Sequence, residues 1–162
     1  MNATEKQAQT IEALKAARQA LLQAAQQIPP ARRAEVFLGS WSVLELLAHL
    51  SGWDAANQEG AQAVLQGRLP AFYQFYDRDW ASFNARLVRE YRLEDFAAQL
   101  AQAQASHLLL VAALQALAPA DFVADYGVRF KGVRVTVERL AQWEAKDEQE
   151  HARQILGWLK RG

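Results

Sequence analysis

The chain has 162 residues, 51% of them hydrophobic, and this suits one folded domain spanning residues 1–162 rather than a disordered chain. It contains no cysteine, which excludes disulfides and thiolate chemistry by the protein itself. Lysine plus arginine equals 18, as does aspartate plus glutamate, so we predict no nucleic-acid partner. The longest apolar run, Leu108 to Leu114, is far shorter than the about 20 residues of a membrane span. The first residues, Met1 to Gln7, lack the basic-then-apolar order of a signal peptide. We therefore expect a cytoplasmic protein with no membrane partner.

The first predicted helix runs from about Thr4 to Gln27, and Pro29-Pro30 ends it. Its apolar residues recur at intervals of roughly seven and form one stripe: Ile11, Leu14, Leu21 and Ile28. Residues 31–40 are predicted to be a connection, with one helical turn at residues 34–37.

The second predicted helix, from Val43 to about Gln66, has a well-marked start. Ser42 can cap it, and Glu45 stands three residues later, where its carboxylate can complete a capping box. Two glycines are predicted to lie on or near its polar side, Gly52 and Gly60. His49 falls at the edge of the inward-facing arc, where it is either a half-buried core residue or a ligand that other helices complete.

An aromatic segment follows Gly67 and Pro70, which end the second helix. Its aromatic residues are Phe72, Tyr73, Phe75 and Tyr76. Two interpretations remain open at this stage. These side chains either cap the end of the bundle or line the mouth of a pocket.

A short third helical segment is predicted after an N-cap at Asp77, with Trp80, Phe83, Leu87 and Tyr91 on one inward face. A break near Arg92-Leu93 separates it from a long helix of about residues 94–117, which Pro119 closes. The alternating residues 125–135, with glycines at both bends, predict a small hairpin in the last long connection.

The last helix is predicted to begin after a Thr136 cap and to run from Val137 to about Lys160. Its predicted inward arc contains Leu140, Trp143, Asp147, His151, Gln154 and Trp158. Glu148 and Glu150 are predicted to lie on the solvated surface. Four long amphipathic helices in one small domain predict an all-α four-helix bundle with short extra helical segments.

The best candidate for chemistry in this pattern is the pair Asp147 and His151. They are four residues apart and therefore stack on one helix face, which is otherwise apolar. A carboxylate on such a face is costly unless it is paired. Either the two residues satisfy each other or an arginine, or they coordinate a divalent metal ion, zinc or nickel, together with His49.

Four further residues are candidates for the surroundings of such a site. His107 could replace Asp147 as the third ligand, or it could be a core histidine bonded to an oxygen atom. Gln154 could hydrogen-bond to a ligand or substrate, or it could lie at the surface. Trp53 and Trp143 could shape a pocket, although core packing is the default for tryptophan at helical spacing.

The sequence resembles the DinB-like (DinB/YfiT-type) superfamily of four-helix bundles over about residues 11–159. Trp41-Ser42-Val43, followed by Leu47-Ala48-His49-Leu50 and Trp53, is similar to the W-S-V-x-x-x-L-A-H-L pattern that opens that family's second helix. The stretch Asp147-x-x-x-His151-x-x-Gln154-Ile155 resembles the H-x-x-x-H-x-x-Q-I pattern of its last helix. The stretches Asp79-Trp80, Phe83-Asn84-Ala85-Arg86 and Ser106-His107 resemble its colibactin-resistance (ClbS/DfsB) branch.

The resemblance implies a metal site formed by one histidine of the second helix and two of the last. His49 and His151 match two of these positions, whereas Asp147 stands where the family usually has histidine. Aspartate offers harder oxygen chemistry, which changes the affinity and the choice of metal. The resemblance further implies a thiol S-transferase, with a low-molecular-weight thiol as co-substrate, or a hydrolase.

We therefore predict a divalent-metal-dependent transferase or hydrolase that acts on a small-molecule substrate. The alternative is a non-catalytic stress-response or small-molecule-binding bundle whose metal site is vestigial. A homodimer formed through an exposed face of the bundle is a further expectation about partners.

Overall fold

The structure, a computed structural model, describes residues 1–76 and 78–162 and confirms the predicted all-α fold. The helices are α1 (Ala3–Gln26), α2 (Val43–Leu65), α3 (Trp80–Tyr91), α4 (Phe96–Gln115), α5 (Pro119–Val123) and α6 (Val137–Arg161). Two 3-10 turns, Pro30–Arg32 and Ala71–Phe75, lie in the connections. Strands β1 (Arg129–Phe130) and β2 (Val133–Arg134) form the predicted antiparallel hairpin.

The four long helices α1, α2, α4 and α6 form the bundle. Helices α1 and α2 each pack against both α4 and α6, and α3 packs on the outside of α2. Apolar side chains from all four long helices fill its interior, among them Leu14, Leu47, Leu110 and Ile155. In the described part of the chain, no helix combines the length and apolarity needed to cross a bilayer.

The helix starts follow the capping signals of the sequence. The Ser42 side chain accepts from the backbone of α2, and the Glu45 carboxylate accepts from the Ser42 backbone N–H at 2.8 Å, so the predicted capping box is present. Asp79 caps α3 by accepting from the Ser82 backbone N–H. The predicted cap Asp77 lies outside the described residues.

Two of the predicted connections differ from the structure. The helical turn expected at residues 34–37 lies earlier, at Pro30–Arg32, because proline already has the backbone angle of a first helical residue. Pro119 does not only end α4: it also begins the short helix α5. The hairpin turns at Lys131 and Gly132, whose φ angles of +49° and +78° match a two-residue hairpin turn.

The rotation of α6 is the largest error of the sequence analysis. Its buried residues are Val137, Leu140, Ala141, Glu144, Ala145, Glu148, Ala152 and Ile155, so the predicted inward arc was turned by about one residue. Glu148 is fully buried rather than solvated, whereas the Asp147 side chain is 54% exposed. The predicted arc followed the tryptophans and expected Glu148 outside, but Trp143 is 41% exposed.

The glycines of α2 were also misplaced, because both face packed elements rather than solvent. A Cβ atom at Gly52 would lie 2.6 Å from the Cβ of Leu87, and one at Gly60 would lie 3.0 Å from the Phe72 ring. Such distances are shorter than carbon–carbon van der Waals contact. Gly52 therefore allows α3 to approach α2 closely.

Replacing Gly52 by alanine is expected to lower the free energy of unfolding by about 1–2 kcal/mol. The added methyl group separates α2 from α3, and this overpacking outweighs the gain in helix propensity. Chemical denaturation measures the change. Gly157→Ala in α6 is the matched control, because its Cβ would meet no atom closer than 3.8 Å. A Gly52→Ala protein as stable as the Gly157→Ala protein would contradict close packing at this position.

Candidate metal centre and adjoining cavity

Helices α2 and α6 bring together the three side chains that the sequence singled out as metal ligands. His49 lies in the second turn of α2, and Asp147 and His151 lie one turn apart in α6. The Asp147 Oδ2 atom is 3.9 Å from His49 Nε2 and 3.2 Å from His151 Nε2. One ligand atom from each residue lies within 4.8 Å of the other two.

The contact between His151 and Gln154 bears on which ring nitrogen of His151 carries the proton and which presents a lone pair to Asp147. His151 Nδ1 is 2.7 Å from Gln154 Oε1, an acceptor, which favours the neutral tautomer that carries its proton on Nδ1. The Nε2 lone pair then faces a carboxylate oxygen, and only a proton or a cation between them makes this contact favourable. Metal-ligating histidines are commonly oriented by such a bond at their other nitrogen.

The charges of the three groups depend on one another. Burial, partly offset by the attraction of the Asp147 carboxylate, lowers the pKa of His49 and keeps its ring neutral, as ligation requires. Burial alone would raise the pKa of Asp147, but the adjacent rings of His151 and His49, which favour the carboxylate when they are protonated, bring it well below its usual value. Burial also opposes the charged form of His151, yet its pKa is raised because Asp147 stabilises the imidazolium.

The spacing of the three ligand atoms suits a small divalent ion. Two nitrogen or oxygen ligands at about 2.0–2.1 Å from a tetrahedral zinc are about 3.3 Å apart, and the separations of Asp147 Oδ2 from the two histidine nitrogens, 3.2 and 3.9 Å, bracket that value. Two imidazoles and one carboxylate also leave one coordination position open for a small molecule. The residues present therefore fit a divalent transition metal, although His49 Nδ1 has no hydrogen-bond partner among the described residues.

A cavity of about 1060 Å³ opens beside these three residues, which form part of its wall. Much of the remaining wall is aromatic: Trp41, Trp53, Phe72, Tyr73, Trp80 and Trp143. Trp53 and Trp143 thus lie where a pocket role requires, and the aromatic segment after α2 contributes Phe72, Tyr73 and Tyr76 to the cavity. His107 and Gln154 are not among the residues that line it.

A second polar cluster, centred on Arg18, lies inside the bundle and joins all four long helices. The Arg18 guanidinium contacts Glu148 at 2.6 and 2.9 Å and Asp54 at 2.9 and 3.0 Å. It also donates to the Ala103 carbonyl oxygen at 2.6 Å, and Ser106 donates to Asp54 at 2.5 Å. These bonds use all five N–H donors of arginine. The cluster explains how Glu148 can be buried, because burial of a carboxylate requires such a partner.

His107 belongs to this second cluster and not to the candidate metal centre. Asp54, His107 and Glu148 offer ligand atoms within 4.8 Å of one another, but Arg18 already pairs with both carboxylates. Neither ring nitrogen of His107 has a hydrogen-bond partner in the described part of the chain, so the expected bond to an oxygen atom is not found. Burial, followed by repulsion from Arg18 and Lys15, lowers the pKa of His107 to about 3.

His107 is expected to make the protein less stable in mild acid. It remains neutral in the folded protein down to about pH 3, whereas in the unfolded chain it binds a proton near pH 6.5. The free energy of unfolding therefore decreases as the pH falls from about 6.5 toward 3. Between pH 7 and pH 5, the wild-type protein should lose about 1–2 kcal/mol more than His107→Gln. Denaturant unfolding at both pH values measures this, and parallel losses would contradict it.

Four buried polar residues near the candidate centre and the Arg18 cluster were not predicted from the sequence: Arg18, Asp54, Asn57 and Glu144. A signal existed for Arg18, which lies seven residues after Ile11 and four after Leu14, within the predicted apolar stripe. The signal was overlooked because a lone arginine on a stripe is usually a long side chain that reaches solvent.

The sequence profile of the DinB superfamily matches residues 13–155, which is most of the chain. The chain belongs to the DinB superfamily. Among solved structures, the colibactin self-resistance protein ClbS in complex with double-stranded DNA is similar, with a TM-score of 0.74 and 20% sequence identity. The similarity covers 93% of each chain. A comparison with curated protein sequences gives no match.

The comparison with ClbS corrects one expectation about partners. The balanced charge of this DinB-superfamily chain led to the prediction that nucleic acid is not a partner. The exclusion of nucleic acid as a partner is wrong, because a protein with a similar fold is found in complex with double-stranded DNA. Net charge describes the whole surface and does not report how basic residues cluster on one face.

Proposed function

We propose that this protein is a divalent-metal-dependent enzyme, a thiol S-transferase or a hydrolase, that acts on a small molecule bound in the aromatic cavity. His49, Asp147 and His151 would hold the ion, zinc or nickel. A bound ion would lower the pKa of a water molecule or thiol in its open position and so supply a nucleophile at neutral pH.

One observation carries the proposal: the three candidate ligands lie in the wall of the cavity and not in the closed interior. The Asp147 side chain is 54% exposed, so the open position would face the space that a substrate can enter. Structural metal sites are closed by four protein ligands, whereas catalytic sites keep one position for water or substrate. Trp53, whose indole N–H donates to Asn84 at 3.0 Å, provides a fixed flat wall beside His49.

The residues of this chain have separate roles in this proposal. His151 is oriented by Gln154, so its Nε2 lone pair faces the ion position. The charge of Asp147 balances part of the charge of the ion and strengthens its binding. The aromatic walls exclude water from the bound substrate, which strengthens the electrostatic interactions inside the cavity.

Cobalt(II) substitution tests the proposal and distinguishes the two reactions. The protein is loaded with one equivalent of cobalt, and its absorption spectrum is recorded before and after addition of cysteine or 2-mercaptoethanol. A new sulfur-to-cobalt charge-transfer band, absent in His151→Ala, would support a thiol transferase. A spectrum that changes with pH but not with thiol would support a hydrolase. Failure to bind cobalt would contradict both and leave the non-catalytic alternative.

A second candidate function is contact with double-stranded DNA through the β1–β2 hairpin. Two observations favour it: the similar ClbS structure holds double-stranded DNA, and Arg129, Lys131 and Arg134 cluster on this hairpin beside the cavity. Asp125 pairs with Arg129 at 2.7 Å, so Arg134 is the better position to vary. Phosphate contacts of this kind are weakened by salt.

Fluorescence anisotropy with a labelled DNA duplex tests this second candidate. Reversal of charge by Arg134→Glu is expected to weaken binding by about fivefold or more at low salt. Arg153→Glu is the matched control, because Arg153 is an exposed arginine of α6 paired with Glu150. An equal loss in both variants would indicate attraction to overall charge, and no binding by the wild-type protein would exclude the candidate.

A further inference from the structure

Glu144 is a buried carboxyl group that faces the cavity and has only one of its oxygen atoms bonded. Its side chain lies in the cavity wall, although the residue is only 7% exposed. The Oε2 atom accepts from Asn57 Nδ2 at 2.9 Å, and Oε1 has no hydrogen-bond partner among the described residues. A buried polar atom without a partner is uncommon and costly, and on a residue that lines a cavity it can be satisfied by an atom of a bound ligand.

The neighbouring charges indicate that this carboxyl group is neutral. The cluster behind it contains Asp54 and Glu148 with one cation, Arg18, so it already carries one net negative charge. Because all five N–H donors of Arg18 are engaged, none is left for a third carboxylate. Burial, followed by repulsion from Glu148 and Asp54, raises the pKa of Glu144 well above its usual value.

A neutral Glu144 is a hydrogen-bond donor in the cavity wall. Because Oε2 accepts from the Asn57 amide, the proton resides on Oε1, the atom without a partner. The side chain can therefore donate to a ligand atom that is an acceptor. A carbonyl oxygen suits this position because it accepts a hydrogen bond without bringing a full negative charge, whereas an anionic group would be repelled by the carboxylates behind Glu144.

We propose that Asn57 and Glu144 form a ligand-binding subsite that donates a hydrogen bond to a carbonyl oxygen on a planar, uncharged part of the substrate. The aromatic walls favour a planar group, because Trp53, Phe72 and Trp143 line the same cavity and aromatic rings pack well against planar groups. Glu144 lies one helical turn before Asp147, so the carbonyl end of the ligand would lie about one turn from the metal position. The subsite deepens the proposed function, but it needs no metal ion to bind a probe.

Calorimetric titration with two probes tests the subsite. The probes are 2-naphthamide, which carries a carbonyl acceptor, and naphthalene, which does not. Each is titrated into the full chain, first with a chelator and then with one equivalent of zinc. We expect the wild-type protein to bind 2-naphthamide about fivefold to tenfold more tightly than naphthalene in both conditions.

Two variants show whether Glu144 causes this preference. Glu144→Gln keeps a neutral donor and an acceptor, so the preference should persist, whereas Glu144→Leu removes the donor and should abolish it. Equal binding of the two probes by the wild-type protein would overturn the proposal without requiring any variant to fold. Loss of the preference in Glu144→Gln would also overturn it, because a neutral donor would then be insufficient. Failure to bind zinc would leave this comparison intact and would count only against the proposed function.

Discussion

Replacing Arg18 by methionine is expected to lower the free energy of unfolding by about 3–5 kcal/mol. Arg18 is 1% exposed and bonds to Asp54, Glu148 and a backbone carbonyl of a third helix. Methionine fills similar space but leaves two carboxylates in the interior without a counter-charge, which is among the most destabilising changes known in proteins. Urea denaturation monitored by tryptophan fluorescence measures the loss.

Two controls separate the loss of this buried pairing from the loss of an arginine as such. Arg153→Met removes an exposed arginine that pairs with Glu150, and it should change the stability by less than about 1 kcal/mol. The triple variant Arg18→Met, Asp54→Leu and Glu148→Met should be more stable than Arg18→Met alone, because no charge remains buried without a partner. An Arg18→Met protein as stable as Arg153→Met would refute the structural role of the cluster.

Replacing His151 by alanine is expected to lower the affinity for zinc by about 100-fold or more. The change removes one of the three candidate ligand atoms and the hydrogen bond to Gln154 that orients the ring. Competition with a chromophoric chelator measures the dissociation constant. His151 is 12% exposed at its side chain and lines the cavity, so the variant should remain folded.

Two matched variants make this measurement specific. His107→Gln also removes one histidine but should bind zinc normally, because His107 lies with Arg18 and not with His49 and Asp147. Asp147→Asn keeps the shape of the side chain and removes its charge, so it should weaken binding, whereas Glu150→Gln on the same helix should not. Equal loss in His151→Ala and His107→Gln would mean that the ion does not bind at the candidate centre.

The parts of the fold that follow from local sequence were predictable. The capping box of Ser42 and Glu45 depends on residues three apart, so the start of α2, and with it the position of His49, could be located from the sequence. The two residues of the hairpin turn are likewise a local signal, confirmed by the positive φ angles of Lys131 and Gly132.

The rotation of α6 could not be predicted from its own residues. Whether Glu148 points inward depends on Arg18, which lies 130 residues earlier in the chain and supplies the compensating charge. Without that partner, the usual rule that acids face solvent gives the wrong face. Glu144 is a second buried acidic residue of α6, and it is tolerated inside because it is neutral and bonded to Asn57.

The candidate metal residues came from a short spacing and a family pattern, and the structure places them close together. The sequence could pair Asp147 with His151 because residues four apart share a helix face. It placed Asp147 in an apolar core, whereas the carboxylate is 54% exposed in a cavity wall. The cavity itself could not be predicted, since its walls come from α2, α3, α6, the aromatic segment and the hairpin.

Anomalous diffraction from crystals equilibrated with zinc tests the central claim most directly. The account predicts one strong peak at the zinc edge, about 2.0–2.2 Å from a nitrogen of His49, a nitrogen of His151 and a carboxylate oxygen of Asp147. It also predicts a further ligand in the position that faces the cavity. No peak between these three side chains, or a peak instead among Asp54, His107 and Glu148, would contradict it.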